Sequence, residues 1–222
     1  MRRLLRWSVM AGMMVVTVVA GAAQAPAALG PEYDAQSRSR LPYLQRKDMS
    51  EADQKIFDVL PGRSPEGVLS GPLAFAAYNP AVAKALFDLH NAAVAGSLNP
   101  HVRELAIMVA CRETNYSLEW NAHRASALKA GVDEKVLDVV LKDGPLTGVP
   151  DADAAVIRFG RQMLRDKHMD SATFAQAVEL YGRRGAMDLV AVMNTYAASG
   201  FYAVAVDEHM APGRPDLAPL HR

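Results

Sequence analysis

The sequence predicts an all-α protein, a bundle of about seven helices, and three observations carry that prediction. Apolar residues recur at helical spacing, as in Val102, Leu105, Ala106 and Val109. Helix start and stop signals punctuate the chain at short intervals, above all the pairs Asn79-Pro80 and Asn99-Pro100. No segment alternates apolar and polar residues between turn signals, as a half-buried strand would.

The first 25 residues stand outside this bundle. "MRRLLR" is basic, "WSVMAGMMVVTVVA" is apolar and uncharged, and "GAAQAPAALG" is rich in small residues. That order is the layout of a secretory signal peptide, with small-x-small cuts available between about Ala22 and Ala27. Arg2 and Arg3 raise the twin-arginine route, but Arg6 stands where that signal prefers an apolar residue. General export to the periplasm or the exterior is therefore expected. Residues 26–45 read as an irregular mature N-terminus, 46–210 as one helical domain, and 211–222 as a Pro-rich tail.

Within the domain, "DMSEADQKIFDVL" predicts a helix capped by Ser50, with Ile56, Val59 and Leu60 on one side. Pro61-Gly62 stops it, and "PGRSPEGVLSGP" is a loop. "NPAVAKALFDLHNAAVAG" starts on the Asn79 cap and presents Val82, Leu86 and Leu89 as a stripe, until Gly96 ends it. In "HVRELAIMVACRETN" residues 105–111 are apolar all round, so this helix is expected to be buried on most sides. Ser117–Ala130 follows, with Gly131 as its stop. "VDEKVLDVVL" is short and closed by the loop 144–150; Asp151 opens "ADAAVIRFGRQMLRD", and Ser171 opens "ATFAQAVELYG".

The last helix, "AMDLVAVMNTYAASGFYAVAVDEHM", carries no formal charge from Leu189 to Val206, a length that invites a membrane-spanning reading. Asn194, Thr195, Tyr196, Ser199 and Gly200 lie inside it, and charges close in at both ends. A central or intersubunit helix is the better expectation, and so apolar a helix in a small domain points to a homo-oligomer: dimer, trimer or hexamer.

Lys plus Arg, 24, balance Asp plus Glu, 24, so net charge gives no reason to expect nucleic acid or an anionic surface as partner. No membrane association is expected once the leader is removed. The single cysteine, Cys111, excludes an intrachain disulfide and any chemistry that needs two thiols in one chain. No Gly-rich phosphate loop, Cys/His zinc spacing or Gly-x-Ser-x-Gly elbow is present.

The residues that suggest chemistry lie in two consecutive helices. Glu104 falls in a helical row with Ile107, Met108 and Cys111, so its carboxylate either meets a buried cation or titrates high; alternatively it serves only as a favourable charge near its helix N-terminus. Glu119 and His123, four apart, share a face continued by the small side chains of Ser126, Ala127 and Ala130. A carboxylate within reach of an imidazole raises its basicity and fixes its tautomer. Tyr116 sits one turn before Glu119, and Trp120 beside it is a wall of the pocket or plain packing. Of the six histidines only His123 stands in a motif, while His90, near Leu86, lines a core or a pocket. Glu104, Glu119 and His123 are also a carboxylate/histidine set for a divalent ion, but bundle sites of that kind recruit a second histidine and more helices, so no metal and no cofactor is expected.

The block "RELAIMVACRETNYSLEWNAHRASALKAGV" resembles the core motif of the carboxymuconolactone decarboxylase family, which has the alkylhydroperoxidase D-like helical fold. The resemblance extends over about residues 45–210, and the block 103–131 is its specific part. It implies that Glu104 is the family's proton-relay glutamate and His123 its relay histidine. The redox branch of the family carries a C-x-x-C pair ahead of that histidine, and Tyr116 and Glu119 occupy those places here. A disulfide peroxidase needs one thiolate to attack and a second to resolve, so peroxidase activity is disfavoured; Cys111, mid-helix among apolar residues, is a core cysteine.

The decarboxylase side of the family implies a cofactor-free acid/base lyase acting on a small lactone or oxo-acid. His123 would stabilise or protonate a carbanion, with Glu119 and Glu104 setting its charge. Arg103, Arg112 or Arg124 would hold a substrate carboxylate, Arg124 pointing elsewhere on its helix. Catabolism through the namesake lactone is cytoplasmic, so the export signal argues for another small substrate. A non-catalytic, ligand-binding helical oligomer is the alternative of a different class.

Overall fold

A computed structural model describes residues 29–220, so the predicted leader lies outside the described residues. Among the described residues there are seven α-helices and no strand: α1 (Glu51–Phe57), α2 (Pro80–Val94), α3 (Pro100–Glu113), α4 (Ser117–Lys129), α5 (Glu134–Leu141), α6 (Asp151–Gly160) and α7 (Ser171–Ala205). The expected all-α bundle is observed. Its starts obey local chemistry: Ser50, Asn79, Asn99, Asp133 and Asp170 each accept a hydrogen bond from a backbone N–H of the first turn.

The centre of the bundle is α3, packed against α4, α6 and α7. Leu105, Ala106, Met108, Ala110 and Cys111 are fully buried, as the unbroken apolar run requires. On α7, Leu189, Val192 and Met193 are fully buried too. Among the described residues no helix is long and apolar enough to cross a membrane. Gly182, at φ 70° and ψ 170°, breaks α7 where the sequence places the end of "ATFAQAVELYG", in a left-handed region that L side chains avoid.

Three local expectations differ from the structure. The α1 helix ends at Phe57, its buried residue; Leu60 beyond it is buried too, whereas Val59 is 61% exposed. Asp58, the C-cap, accepts from the Arg46 guanidinium at 2.7 and 2.8 Å, and the Leu60 N–H turns back to the Phe57 carbonyl at 3.0 Å. On α2 the apolar stripe faces outward in part: Val82 and Leu89 are exposed, and the buried face is made of Pro80, Ala83 and Ala93. A small residue lets α2 lie close to its neighbours, and that proximity, rather than hydrophobicity, picks the inner face.

The third difference follows α6, whose last six predicted residues, Arg161–Asp166, wind as a π-helix ended by left-handed Lys167. The wider winding carries Arg165 to Glu113 (2.8 Å from Nε) and to Asp143 (2.9 Å from Nη1). The Glu113 side chain is 3% exposed, and this ion pair gives the buried carboxylate a cationic partner.

The first and last described segments are tied to each other and to the bundle. Arg38 donates to the Met210 carbonyl at 2.8 Å, and Tyr33 to Asp207. The tail packs on the α3–α4 corner, where the Leu217 N–H donates to Ser117 Oγ at 2.9 Å and Leu217 is buried.

Candidate active site

The α3–α4 corner sets the geometry. Asn115 takes a left-handed conformation at φ 52°, the Asn115 N–H donates to the Arg112 carbonyl (3.1 Å), and the Tyr116 N–H to the Cys111 carbonyl (2.7 Å). This is a Schellman closure, with asparagine in the position glycine usually holds. It folds α4 back along α3, so that residues 119 and 123 face residue 104.

His123 is held on both ring nitrogens. Its Nδ1 lies 2.9 Å from Glu104 Oε2, and its Nε2 lies 3.2 Å from Glu119 Oε2. Tyr196 of α7 brings its hydroxyl to 3.2 Å from the same Nε2, its ring edge-on to the imidazole with centroids 5.1 Å apart. These contacts define two states. The imidazolium donates to both carboxylates; the neutral ring keeps Nδ1–H on Glu104 and accepts from the Tyr196 hydroxyl at Nε2. Burial by itself would lower the His123 pKa, but hydrogen bonds and charge from Glu104 and Glu119 outweigh it and push the value up to about 9. At neutral pH the ring is cationic. Burial first, then the charges of Glu119 and Glu104, hold the Tyr196 phenol well above its ordinary value, with Arg103 pulling the other way.

The remaining predicted residues divide. Arg103, partly buried, lies near enough for its charge to act on Tyr196, and it makes a long 3.5 Å contact to the Val94 carbonyl. Arg112 is put to another use: its Nε, Nη1 and Nη2 hold the Leu141 carbonyl (2.8 Å), Asn115 Oδ1 (2.6 Å) and the Ala218 carbonyl (2.9 Å). It ties α5, the corner and the tail together, and no nitrogen is turned to the imidazole. Tyr116 is buried, its phenol raised by burial and then by Glu119, and Trp120 is buried in the main core. Cys111 is fully buried, and burial followed by the Glu119 charge drives its thiol pKa well up, so thiolate chemistry is suppressed. Arg124 pairs with Glu134 on the surface. Among the described residues no group of three His, Cys, Asp or Glu side chains is arranged to hold a metal ion.

Two neighbours lie outside the expected catalytic set: His90, read from the sequence as lining a core or a pocket, and Glu208. The His90 ring stands 5.5 Å from that of Tyr196, and it lines a cavity of about 150 Å³ with Pro61, Pro72, Leu73, Leu86, Phe87 and Ser199. On another side, a cavity of about 450 Å³ is lined by Tyr116, Glu208 and tail residues. Burial, then Glu119 and Asp216, push the Glu208 carboxyl up to about 7. Glu104, Glu119 and His123 converge on one another, yet line neither cavity directly. The signal for Tyr196 was available in the sequence, as a phenol inside an eighteen-residue uncharged run.

The carboxymuconolactone decarboxylase family model matches residues 80–159, a span that holds α2 to α6 and the Glu104/Glu119/His123 cluster. No curated protein matches the chain. Among solved structures, a cysteine-to-alanine variant of the debrominase Bmp8 in complex with 2,3,4-tribromopyrrole has a similar fold. Its TM-score is 0.54 at 17% identity, covering 78% of this chain and 94% of that one, a likeness that carries the fold alone. Residues 80–159 are thus similar to the carboxymuconolactone decarboxylase family, in an all-helical fold like that of the debrominase and with no C-x-x-C pair in the sequence.

Proposed function

We propose that this chain is an exported, homo-oligomeric, cofactor-free lyase that decarboxylates a small lactone or oxo-acid by acid/base chemistry. The observation that carries the reading is the imidazole gripped by two carboxylates, cationic at neutral pH and backed by a phenol. Such a ring is prepared as an acid. As the substrate's carbon–carboxylate bond breaks, carbon dioxide leaves and the electron pair passes to an adjacent carbonyl as an enolate. His123 Nε2–H then delivers its proton to the carbon, and the electron pair of the enolate forms the new C–H bond. Neutral His123 is left with Nδ1–H on Glu104 and with Nε2 accepting from Tyr196, until solvent returns the proton. Arg103, with its charge near Tyr196, is the cation for the departing carboxylate.

The leader-like first 25 residues support export, and exposed Val82, Leu89, Met187 and Phe201 support self-association. The debrominase neighbour holds a small ring compound, in keeping with a small cyclic substrate. The experiment is a mass-spectrometric screen of lactone and oxo-acids for loss of carbon dioxide, with His123→Gln as control. Turnover should fall at least about 100-fold in the variant. Equal turnover by both proteins, or release of every bound compound unaltered, rejects the lyase.

A further inference from the structure

The cavity beside His90 has the size and the lining of a ring-binding subsite. Its volume is about 150 Å³, and its walls are Leu73, Leu86, Phe87 and two prolines. Leu73 is buried and forms the floor, while Pro61 and Pro72 are exposed and form a rim. A cavity of about this volume lined by Leu, Ile and Phe stays dry and admits benzene. Here the walls are broken by only two polar side chains, His90 and Ser199. Ser199 is one turn beyond Tyr196 on α7, and His90, on α2, faces the Tyr196 ring at 5.5 Å.

We propose that this cavity binds the uncharged six-membered ring of the substrate, and that His90 hydrogen-bonds the ring's polar substituent. The inference rests on the acid/base reading for what happens next, since His90 touches the Tyr196 ring and Tyr196 touches His123. Burial lowers the His90 pKa, opposed by the negative charge of Glu119 and helped by the positive charge of His123. A neutral imidazole can give or take one hydrogen bond without placing a second cation beside His123. The volume of about 150 Å³ suits one ring of about six to eight heavy atoms.

Phenol and toluene serve as probes, followed by calorimetry and by the NMR shift of the His90 ring in the full chain. Wild type should bind both with a Kd on the order of 1 mM or tighter. Leu86→Trp, which fills the cavity, and Ser199→Leu, which narrows it and is the milder change for folding, should each weaken binding at least about tenfold. His90→Leu should shift the phenol-to-toluene affinity ratio toward toluene by about tenfold, the worth of one buried hydrogen bond. Val204→Trp, in the separate cavity by Tyr116, should change neither probe. His123→Gln should retain ring binding, so the subsite and the lyase stand or fall separately. Absence of probe binding to wild type, wild-type affinity retained by both Leu86→Trp and Ser199→Leu, or loss confined to Val204→Trp overturns the subsite.

Discussion

Replacing His123 by glutamine should flatten the stability of the protein between pH 6.5 and about 9, and the size of the effect follows from the site. Folding moves the imidazole from its ordinary 6.5 to about 9, because two carboxylates prefer the imidazolium. The folded state therefore binds the proton more tightly than the unfolded state does. The resulting stabilisation is fully present below pH 6.5 and is lost as pH rises through about 9. At ~1.4 kcal/mol per pH unit the raw displacement corresponds to about 3 kcal/mol. His123 keeps 22% of its side-chain surface exposed, and solvent screening reduces the expected value to about 2 kcal/mol. Urea unfolding at pH 6, 7.5 and 9.5 on wild type and His123→Gln gives the difference directly. The subtraction cancels Glu208, which is raised to about 7 and titrates in both proteins. An imidazole C–H titration by NMR supplies the independent midpoint. A midpoint at or below 6.5, or wild type and variant curves that run parallel, would show that the two carboxylates do not hold a cation, and the proposed acid would be gone.

Four further outcomes follow from the same geometry. Tyr196→Phe removes the donor that favours the neutral ring, so the His123 midpoint should rise by a few tenths of a unit, up to about 1; a fall would exclude the two-state hydrogen-bond scheme. Arg165→Leu strips buried Glu113 of its guanidinium and should cost about 3 kcal/mol in urea unfolding, and a cost under about 1 kcal/mol would show the π-helical segment to be incidental. A Cβ on Gly200 would lie 2.7 Å from Thr114 Oγ1 and 3.1 Å from Tyr116 Cβ, so Gly200→Val should cost about 1–3 kcal/mol and displace Tyr196; an unchanged His123 midpoint would argue against that displacement. Cys111→Ala should lower stability by about 1 kcal/mol and leave turnover intact, whereas loss of activity would return the thiol to the mechanism.

The local half of this protein is legible in its residues because the interactions that set it are local. An N-cap needs only a side-chain oxygen and an N–H three residues on, which is why Asn79 and Asn99 mark helix starts without any knowledge of the fold. Helical pitch alone puts Glu119 and His123 on one face. The unbroken apolar run of α3 needs a neighbour on every side, so its central place follows as well. The α2 stripe was misleading for the opposite reason: Val82 and Leu89 look like an inner face until the packing shows Ala83 inward.

Contacts between elements decide the rest. Glu104 meets His123 only because the Asn115 corner folds α4 onto α3. Tyr196, 73 residues from His123, reaches Nε2 through the packing of α7 against α3, with Gly200 allowing the close approach. Arg112 looks as apt for a carboxylate as Arg103 until the tail and α5 supply carbonyls that occupy it. The sequence by itself determined which helices form and which acids and imidazole can share a face, since those depend on backbone pitch and neighbours within a turn. The tertiary structure decided the charge on His123, its phenolic partner and the ring-sized cavity beside it, because solvation and long-range contacts exist only once the helices have packed.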